Sequence, residues 1–150
     1  MNAWAPIRIT RVDRQNLDVL DSIAEDVFDA PPTAERLDNF LNTPTQSLFV
    51  AIKNNRVVGQ IKIVVHRQPE KPTSLFVEEL GVGSHHRRQG IARALMAMAR
   101  DYARDQGCAE LWLATEPDNV PANAFYKSLR MEGQHVVVYD MKIGPEPSDP

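Results

Sequence analysis

The sequence predicts an α/β protein built on one mixed β-sheet with helices on both faces. Three observations support this fold class. Segments with the two-residue alternation of strands and segments with helical spacing follow in the order β-α-α-β-β-β-α-β-α-β. That order is neither an internal repeat nor the alternation of a doubly wound sheet. No linker-like composition interrupts the chain, so we expect a single domain over residues 1–150, with 144–150 as a flexible tail.

The N-terminal third predicts one strand and two helices. Residues 7–12 alternate apolar and polar side chains, as in a half-buried strand. Residues 17–28 carry apolar side chains at helical spacing, and the prolines that follow end this first helix. A second, short helix is predicted over residues 33–41 and is closed by Pro44.

The middle of the chain predicts a hairpin and a further strand. Two β-branched runs within residues 47–66 are joined by Asn54 and Asn55, and asparagine tolerates the positive φ of a tight hairpin turn. A loop with two prolines separates this hairpin from a fourth strand at residues 74–82.

The C-terminal part predicts two more helices and two more strands. An amphipathic helix of about four turns begins at Ile91 and ends at Gly107. A fifth strand follows at residues 109–115, a further helix at 122–129 and a last strand at 134–141.

Composition and charge narrow the function classes. No apolar run approaches the roughly 20 residues of a membrane span, and the N-terminus lacks a secretory pattern, so we expect a cytoplasmic protein without membrane contact. Residues 13–38 hold eight acidic and two basic side chains, whereas residues 85–104 hold five arginines and one aspartate. The asymmetry indicates one cationic and one anionic ligand, although solvated helix faces explain it nearly as well. Nucleic acid is not expected, because the basic stretch is short and the net charge is −3.

The turn before the helix at Ile91 has the features of an anion site. The first turn of a helix presents N–H groups without internal partners, and Gly90 lets a phosphate approach the backbone. Arg87 and Arg88 add positive charge. A purely structural strand-to-helix turn is the alternative. The chain has neither the glycine–lysine motif of a P-loop nor the three-glycine motif of a dinucleotide fold.

The segment VGSHHRRQGIARALM resembles the acyl-CoA-binding motif of the GNAT superfamily of N-acyltransferases, and NVPANAFYKSL is similar to a second motif of that family. The resemblance implies a GNAT-like fold, acetyl-CoA as co-substrate, no metal, and a homodimer. It also implies that these residues contact the coenzyme: Leu80, Gly81, Val82, Arg87, Arg88, Gln89, Gly90, Ile91, Ala92, Asn119 and Ala122.

Within the superfamily the chain looks most like type I aminoglycoside 3-N-acetyltransferases, through HRRQGIA, PANAFY and the terminal YDM. It departs from the general pattern at Arg130 and Met131, where most members have Gly-Phe. An arginine at that position is strained if the backbone is left-handed.

Amide formation from a thioester requires an uncharged amine and a proton for the departing thiolate. Glu79 is predicted to be the base and Tyr126, the family's usual acid, to be the proton donor. Glu78 points to the opposite face if the strand is regular, so only one of the two carboxylates can line the site. A backbone N–H between Leu80 and Val82 is expected to meet the negative charge that develops on the acetyl oxygen. A solvent-facing Glu79 and a Tyr126 that only packs are the structural alternatives.

The predicted acceptor is a small polycationic amine, with an aminoglycoside as the leading candidate, held by Asp26, Asp29, Glu79 and Asp140. Two alternatives stay open. One is acetylation of a protein N-terminus or lysine, and the other is an acyl-CoA-binding module without catalysis.

Overall fold

The computed structural model describes residues 5–145. They form two compact units, one up to Leu113 and one from Ala114. Within the described residues no helix is long and apolar enough to span a membrane.

The first unit is built on a five-stranded mixed sheet. Strands lie side by side in chain order, the first four antiparallel and the fifth parallel to the fourth. The strands are β1 (Arg8–Arg11), β2 (Gln46–Lys53), β3 (Arg56–His66), β4 (Ser74–Val82) and β5 (Glu110–Trp112). The predicted mixed sheet is confirmed, although β5 is shorter than the predicted 109–115.

The predicted hairpin is confirmed in both its strands and its turn. Asn54 and Asn55 connect β2 to β3 with φ angles of 52° and 59°. Two consecutive left-handed residues match the twist of the flanking strands, which is why asparagine occupies both positions.

Helices cover both faces of this sheet, as predicted. Helix α2 (Ile91–Asp105) packs against β2, β3 and β4, with Leu95 fully buried. Tyr102 of α2 meets Phe49 of β2 edge to face, with ring centroids 5.6 Å apart. Helix α1 (Ala34–Leu41) lies against β2 from the other face; the Thr33 hydroxyl caps it by accepting the Arg36 N–H at 3.3 Å.

The predicted helix over residues 17–28 is wrong. Only a 3₁₀ turn forms, at Leu17–Asp21. After it Ile23 forms a parallel bridge with Val57, and the Ala24 N–H donates to the Val57 carbonyl at 2.8 Å. Asp26 then adopts a left-handed φ of 66°, which no α-helix accommodates. The apolar residues of this segment have helical spacing. Its backbone nevertheless forms hydrogen bonds with the start of β3 instead of helical ones.

Strand β4 contains an irregularity that the sequence did not reveal. Ile63 of β3 pairs with Val77, and the preceding Lys62 pairs with Glu79. Glu78 is therefore an extra residue with no partner opposite it, which defines a β-bulge.

The second unit contains helix α3 (Val120–Ser128), which the sequence placed at 122–129. Arg130, just after it, has a φ of 63°, so this arginine occupies the left-handed position that usually holds glycine. The predicted last strand over 134–141 is wrong, because these residues have no regular structure and are exposed. Their β-branched side chains favour extended backbone, but a lone strand gains no ladder hydrogen bonds. Of the predicted tail, residues 146–150 lie outside the described range.

Candidate active site

A cavity of about 300 Å³ opens on the sheet face that α1 covers. Its volume is at the lower end of the range typical of ligand pockets. Four of its lining residues are charged, namely Asp29, Arg36, Lys62 and Glu79. The greater part of the remaining wall is apolar and consists of Phe28, Ala30, Pro31, Pro32, Leu37, Phe40 and Leu48.

The predicted base, Glu79, lies in this cavity and is paired with a cation. The Lys62 Nζ stands 2.6 Å from a Glu79 carboxylate oxygen, and the Glu79 side chain is 17% exposed. The lysine was missed by sequence reasoning. A signal existed, because one lysine interrupts the apolar run IKIVV and a charged side chain is rarely buried unless it is paired.

The bulge determines which of the two adjacent carboxylates lines the cavity. Val77 pairs with the buried Ile63 on the α2 face, and Glu79 pairs with Lys62 on the cavity face. Glu78 is exposed and does not line the cavity. The sequence expected the two glutamates to face opposite ways on a regular strand, and the bulge replaces that regular geometry.

The second half of β4 has one backbone edge without a strand beside it in the described residues. β5 pairs only with Ser74, Leu75 and Phe76. The Gly83 N–H donates to the Val58 carbonyl of β3 at 2.9 Å. Because successive N–H groups alternate in direction along a strand, those of Leu80 and Val82 point away from β3, toward this open edge.

Gly81, predicted to contact the coenzyme, has a structural role of its own. A Cβ at this position would collide with the carbonyl oxygen of Val27. That carbonyl accepts a hydrogen bond from the buried Gln60 amide at 3.2 Å. Gly81 therefore allows the segment before α1 to lie directly on the sheet.

The turn predicted to bind an anion lies at the N-terminus of α2. Gly90 is the residue that caps this helix, and its φ is 79°. Apart from its two chain neighbours, no described residue has an atom within 4 Å of where a Cβ would stand. Arg88 also has a left-handed φ, of 60°. The first-turn residues Ile91 and Ala92 follow, and their N–H groups have no partner within the helix. An anion can thus approach the backbone closely beside the exposed Arg87 and Arg88.

A further cation supports this turn from β2. The Lys53 Nζ donates to the Gln89 side-chain oxygen at 3.1 Å. Burial, and then the nearby charges of Lys53, Arg56 and His85, lower the pKa of His86. The Nδ1 atom of His86 is buried and has no hydrogen-bond partner among residues 5–145.

The second unit holds three of the predicted site residues around α3. The Asn119 side-chain oxygen accepts the Ala122 N–H at 3.2 Å, so these two residues form the N-terminal cap of the helix. Tyr126 lies on the last turns and contacts Phe125, with ring centroids 5.3 Å apart. Burial raises the pKa of the Tyr126 hydroxyl.

The residues predicted to hold the acceptor do not all converge. Asp29 lines the cavity with Glu79, whereas Asp26 does not. Asp140 belongs to the second unit, in the exposed segment after α3. Of the eight acidic side chains between residues 13 and 38, only Asp29 is part of the cavity wall.

Several curated proteins are similar to part of the chain. Human N-acetyltransferase 8 is 37% identical over 94 residues, which cover 61% of this chain and 40% of that protein. Streptothricin acetyltransferase of Streptomyces lavendulae is 33% identical over 82 residues, or 45% of this chain and 43% of that protein. N-alpha-acetyltransferase 30 of Schizosaccharomyces pombe is 32% identical over 83 residues, covering 54% of each. The chain thus matches about half or less of these relatives.

Solved structures share the fold at low identity. An aminoglycoside acetyltransferase from an uncultured soil metagenomic sample superposes with a TM-score of 0.80 and 21% identity, covering 92% of this chain and 97% of the other. A transcriptional regulator from Bacillus halodurans gives a TM-score of 0.76 and 19% identity, with coverage of 91% and 100%. Residues 16–130 match the model of the acetyltransferase (GNAT) family. That match covers more than half of the chain, including β4 and the α2 turn, so the chain belongs to the GNAT family.

Proposed function

We propose that this protein is an acetyl-CoA-dependent N-acetyltransferase that acetylates a primary amine of a small molecule by direct transfer. One observation carries the proposal. Glu79 lines a cavity at the bulge of β4, and the next residues, Leu80 and Val82, turn their N–H groups to the open edge of the same strand. A base and two backbone donors therefore follow one another within four residues.

The turn before α2 suits the diphosphate of coenzyme A. The open space beside Gly90 would be filled by any Cβ, and the helix N-terminus favours negative charge. Arg87 and Arg88 would add charge-assisted hydrogen bonds. Acetyl-CoA, when bound, supplies the acetyl group as a thioester.

Glu79 acts on the acceptor. Its carboxylate takes a proton from the incoming ammonium, and the freed amine nitrogen then forms the C–N bond while the C=O electron pair moves onto the acetyl oxygen. The nitrogen loses its second proton to solvent, and the C–S bond breaks as the carbonyl re-forms. Lys62 holds the carboxylate toward the cavity through their 2.6 Å ion pair. The N–H groups of Leu80 and Val82 would stabilise the negative charge on the acetyl oxygen.

Tyr126 is proposed to return a proton to the departing thiolate. A tyrosine hydroxyl is protonated at neutral pH, and burial raises the pKa of the Tyr126 hydroxyl further. A protonated phenol can serve as a general acid, whereas a phenolate could not. Asn119 and Ala122, at the start of the same helix, are proposed to contact the coenzyme.

Direct transfer is favoured over an acyl-enzyme route through cysteine. Cys108 is the only cysteine of the chain. Burial raises the pKa of its thiol, and a nucleophilic cysteine requires the opposite shift.

A thiol-release assay with acetyl-CoA tests this function across aminoglycosides, polyamines, amino acids and peptides. Tyr126→Phe removes only the acidic proton and should lower kcat roughly 10²-fold, with acetyl-CoA affinity unchanged. Tyr139→Phe is the matched control, since Tyr139 is 90% exposed in the same unit. Unchanged turnover in Tyr126→Phe would remove that residue from the mechanism. Acetyl-CoA binding by calorimetry without thiol release from any amine would favour a non-catalytic module.

The sequence predicts a polycationic acceptor, with an aminoglycoside as the leading candidate. The streptothricin and aminoglycoside acetyltransferases among the similar proteins support antibiotic amines as candidates. Peptide amines are the competing class and are represented by the N-alpha-acetyltransferase relative. Both classes therefore belong in the assay panel.

A further inference from the structure

The cavity wall is balanced in charge, although the segment that provides part of it is strongly acidic. Asp29 and Glu79 are matched by Arg36 and Lys62. A site built to attract a polycation would be lined by an excess of carboxylates. The remaining acidic residues of 13–38 lie outside the wall, and Asp38 among them is already paired with Arg14 at 2.7 Å.

The ion pair in the cavity constrains what can bind beside Glu79. Lys62 and Glu79 are 2.6 Å apart, and their side chains are 32% and 17% exposed, so both charges are only partly exposed to water. An ammonium that reaches the carboxylate also comes close to the lysine, and these like charges repel. A ligand that places an anionic group next to its ammonium offers Lys62 a partner and keeps the charges alternating.

Arg36 provides a second cation for such an anion. It lies in the first turn of α1, and its guanidinium is exposed at the cavity wall. A guanidinium can bind a carboxylate through two parallel hydrogen bonds. The nearby apolar wall, which includes Phe28, Leu37 and Phe40, suits a hydrophobic body on the same ligand.

We infer that the acceptor is a small amphoteric amine with a carboxylate close to its amino group and an apolar side chain, as in an aromatic or aliphatic α-amino acid. This inference rests on the proposed function, of which it names the substrate class. Glu79 and Asp29 face the ammonium, Lys62 and Arg36 face the carboxylate, and the apolar wall covers the side chain.

Binding and turnover test the inference separately. Calorimetry with the full chain, with and without coenzyme A, should give L-phenylalanine a Kd at least tenfold lower than L-phenylalaninamide, which keeps the ring and ammonium but lacks the anion. Spermidine, a flexible polycation, should bind more weakly still. Equal or tighter binding of the amide or of spermidine would overturn the inference, and so would the failure of all three to bind.

Variants locate the effect in the cavity. Lys62→Met removes the cation at similar length and should reduce the preference for L-phenylalanine over its amide to below threefold. Arg36→Met, at an exposed position, gives the same comparison if Lys62→Met does not fold. Lys71→Met removes a lysine from the exposed loop after β3 and should leave the preference unchanged. An unchanged preference in both cavity variants would overturn the inference. L-phenylalanine binding without thiol release would instead contradict the proposed function.

Discussion

Replacing Glu79 by glutamine tests the proposed base directly. The amide has nearly the same size as the carboxylate but cannot accept the ammonium proton. General base catalysis contributes about 10²–10⁴-fold. We therefore expect kcat/KM for the acceptor to fall by that factor, which corresponds to about 2.7–5.5 kcal/mol in the activation barrier.

The same substitution should have a much smaller effect on stability. It removes the ion pair with Lys62. The Lys62 side chain is 32% exposed, so water can solvate its charge. Discounted for that exposure, the loss is about 1 kcal/mol. A domain of this size then loses roughly 2–4 °C in Tm and stays folded during the assay.

Glu78→Gln is the matched control, since Glu78 is the exposed neighbour that the bulge turns away from the cavity. Initial rates of thiol release are measured from pH 5 to 9 for both variants, with Tm determined in parallel. Glu79→Gln should alter the acidic limb of the pH–rate profile, and Glu78→Gln should retain the parent profile. The reasoning is refuted if Glu79→Gln keeps activity within threefold, or if Glu78→Gln loses as much.

Three further predictions concern the turn, the sheet and a partly buried histidine. Gly90→Ala should raise the Kd of acetyl-CoA, measured by calorimetry, at least tenfold. Gly107 also has a positive φ and open space at its Cβ position. Gly107→Ala should therefore lower the free energy of unfolding by about 1 kcal/mol and leave the Kd of acetyl-CoA unchanged. Gly81→Ala forces Val27 away from the sheet, which overpacks this contact and breaks the Gln60 hydrogen bond. The free energy of unfolding in urea should therefore fall by about 2–4 kcal/mol. At Gly133 an added Cβ meets no described atom, so Gly133→Ala should cost under about 0.5 kcal/mol. Because burial lowers the pKa of His86, the unfolded chain binds the extra proton first, so the free energy of unfolding should decrease as the pH falls below about 6.5. His86→Gln should flatten that slope between pH 5 and 7, and an equal slope in the variant would contradict the assignment.

Sequence patterns correctly predicted the elements that are stabilised by interactions among their own residues. The asparagine turn of the hairpin and the capped helix α1 needed only their own residues, and both formed as expected. The segment 17–28 carried an equally clear helical spacing but folded against Val57 of β3. Its helix failed because a distant backbone partner was available, and a periodic pattern contains no information about such a partner.

The same distinction applies to the site. Gly90 and Glu79 could be identified from motifs that are contiguous in sequence, and the structure places both where a ligand could reach them. Lys62 could not be assigned, because its pairing with Glu79 depends on the register between two strands. Counting charges along residues 13–38 therefore gives an acidic excess and does not predict the balanced charge of the cavity.

The bulge at Glu78 has an energetic cause that lies in its neighbours. In a regular register Glu79 would stand opposite Ile61 on the face that α2 covers, and an unpaired carboxylate buried there costs several kcal/mol. Leu80 would then replace Gly81 opposite Gln60, against the carbonyl of Val27, where even a single Cβ cannot fit. The extra residue resolves both conflicts, since it brings Glu79 to Lys62 and Gly81 to Val27 and returns Leu80 to the apolar face opposite Ile61. The packing that stabilises the sheet thus also orients the proposed base toward the cavity.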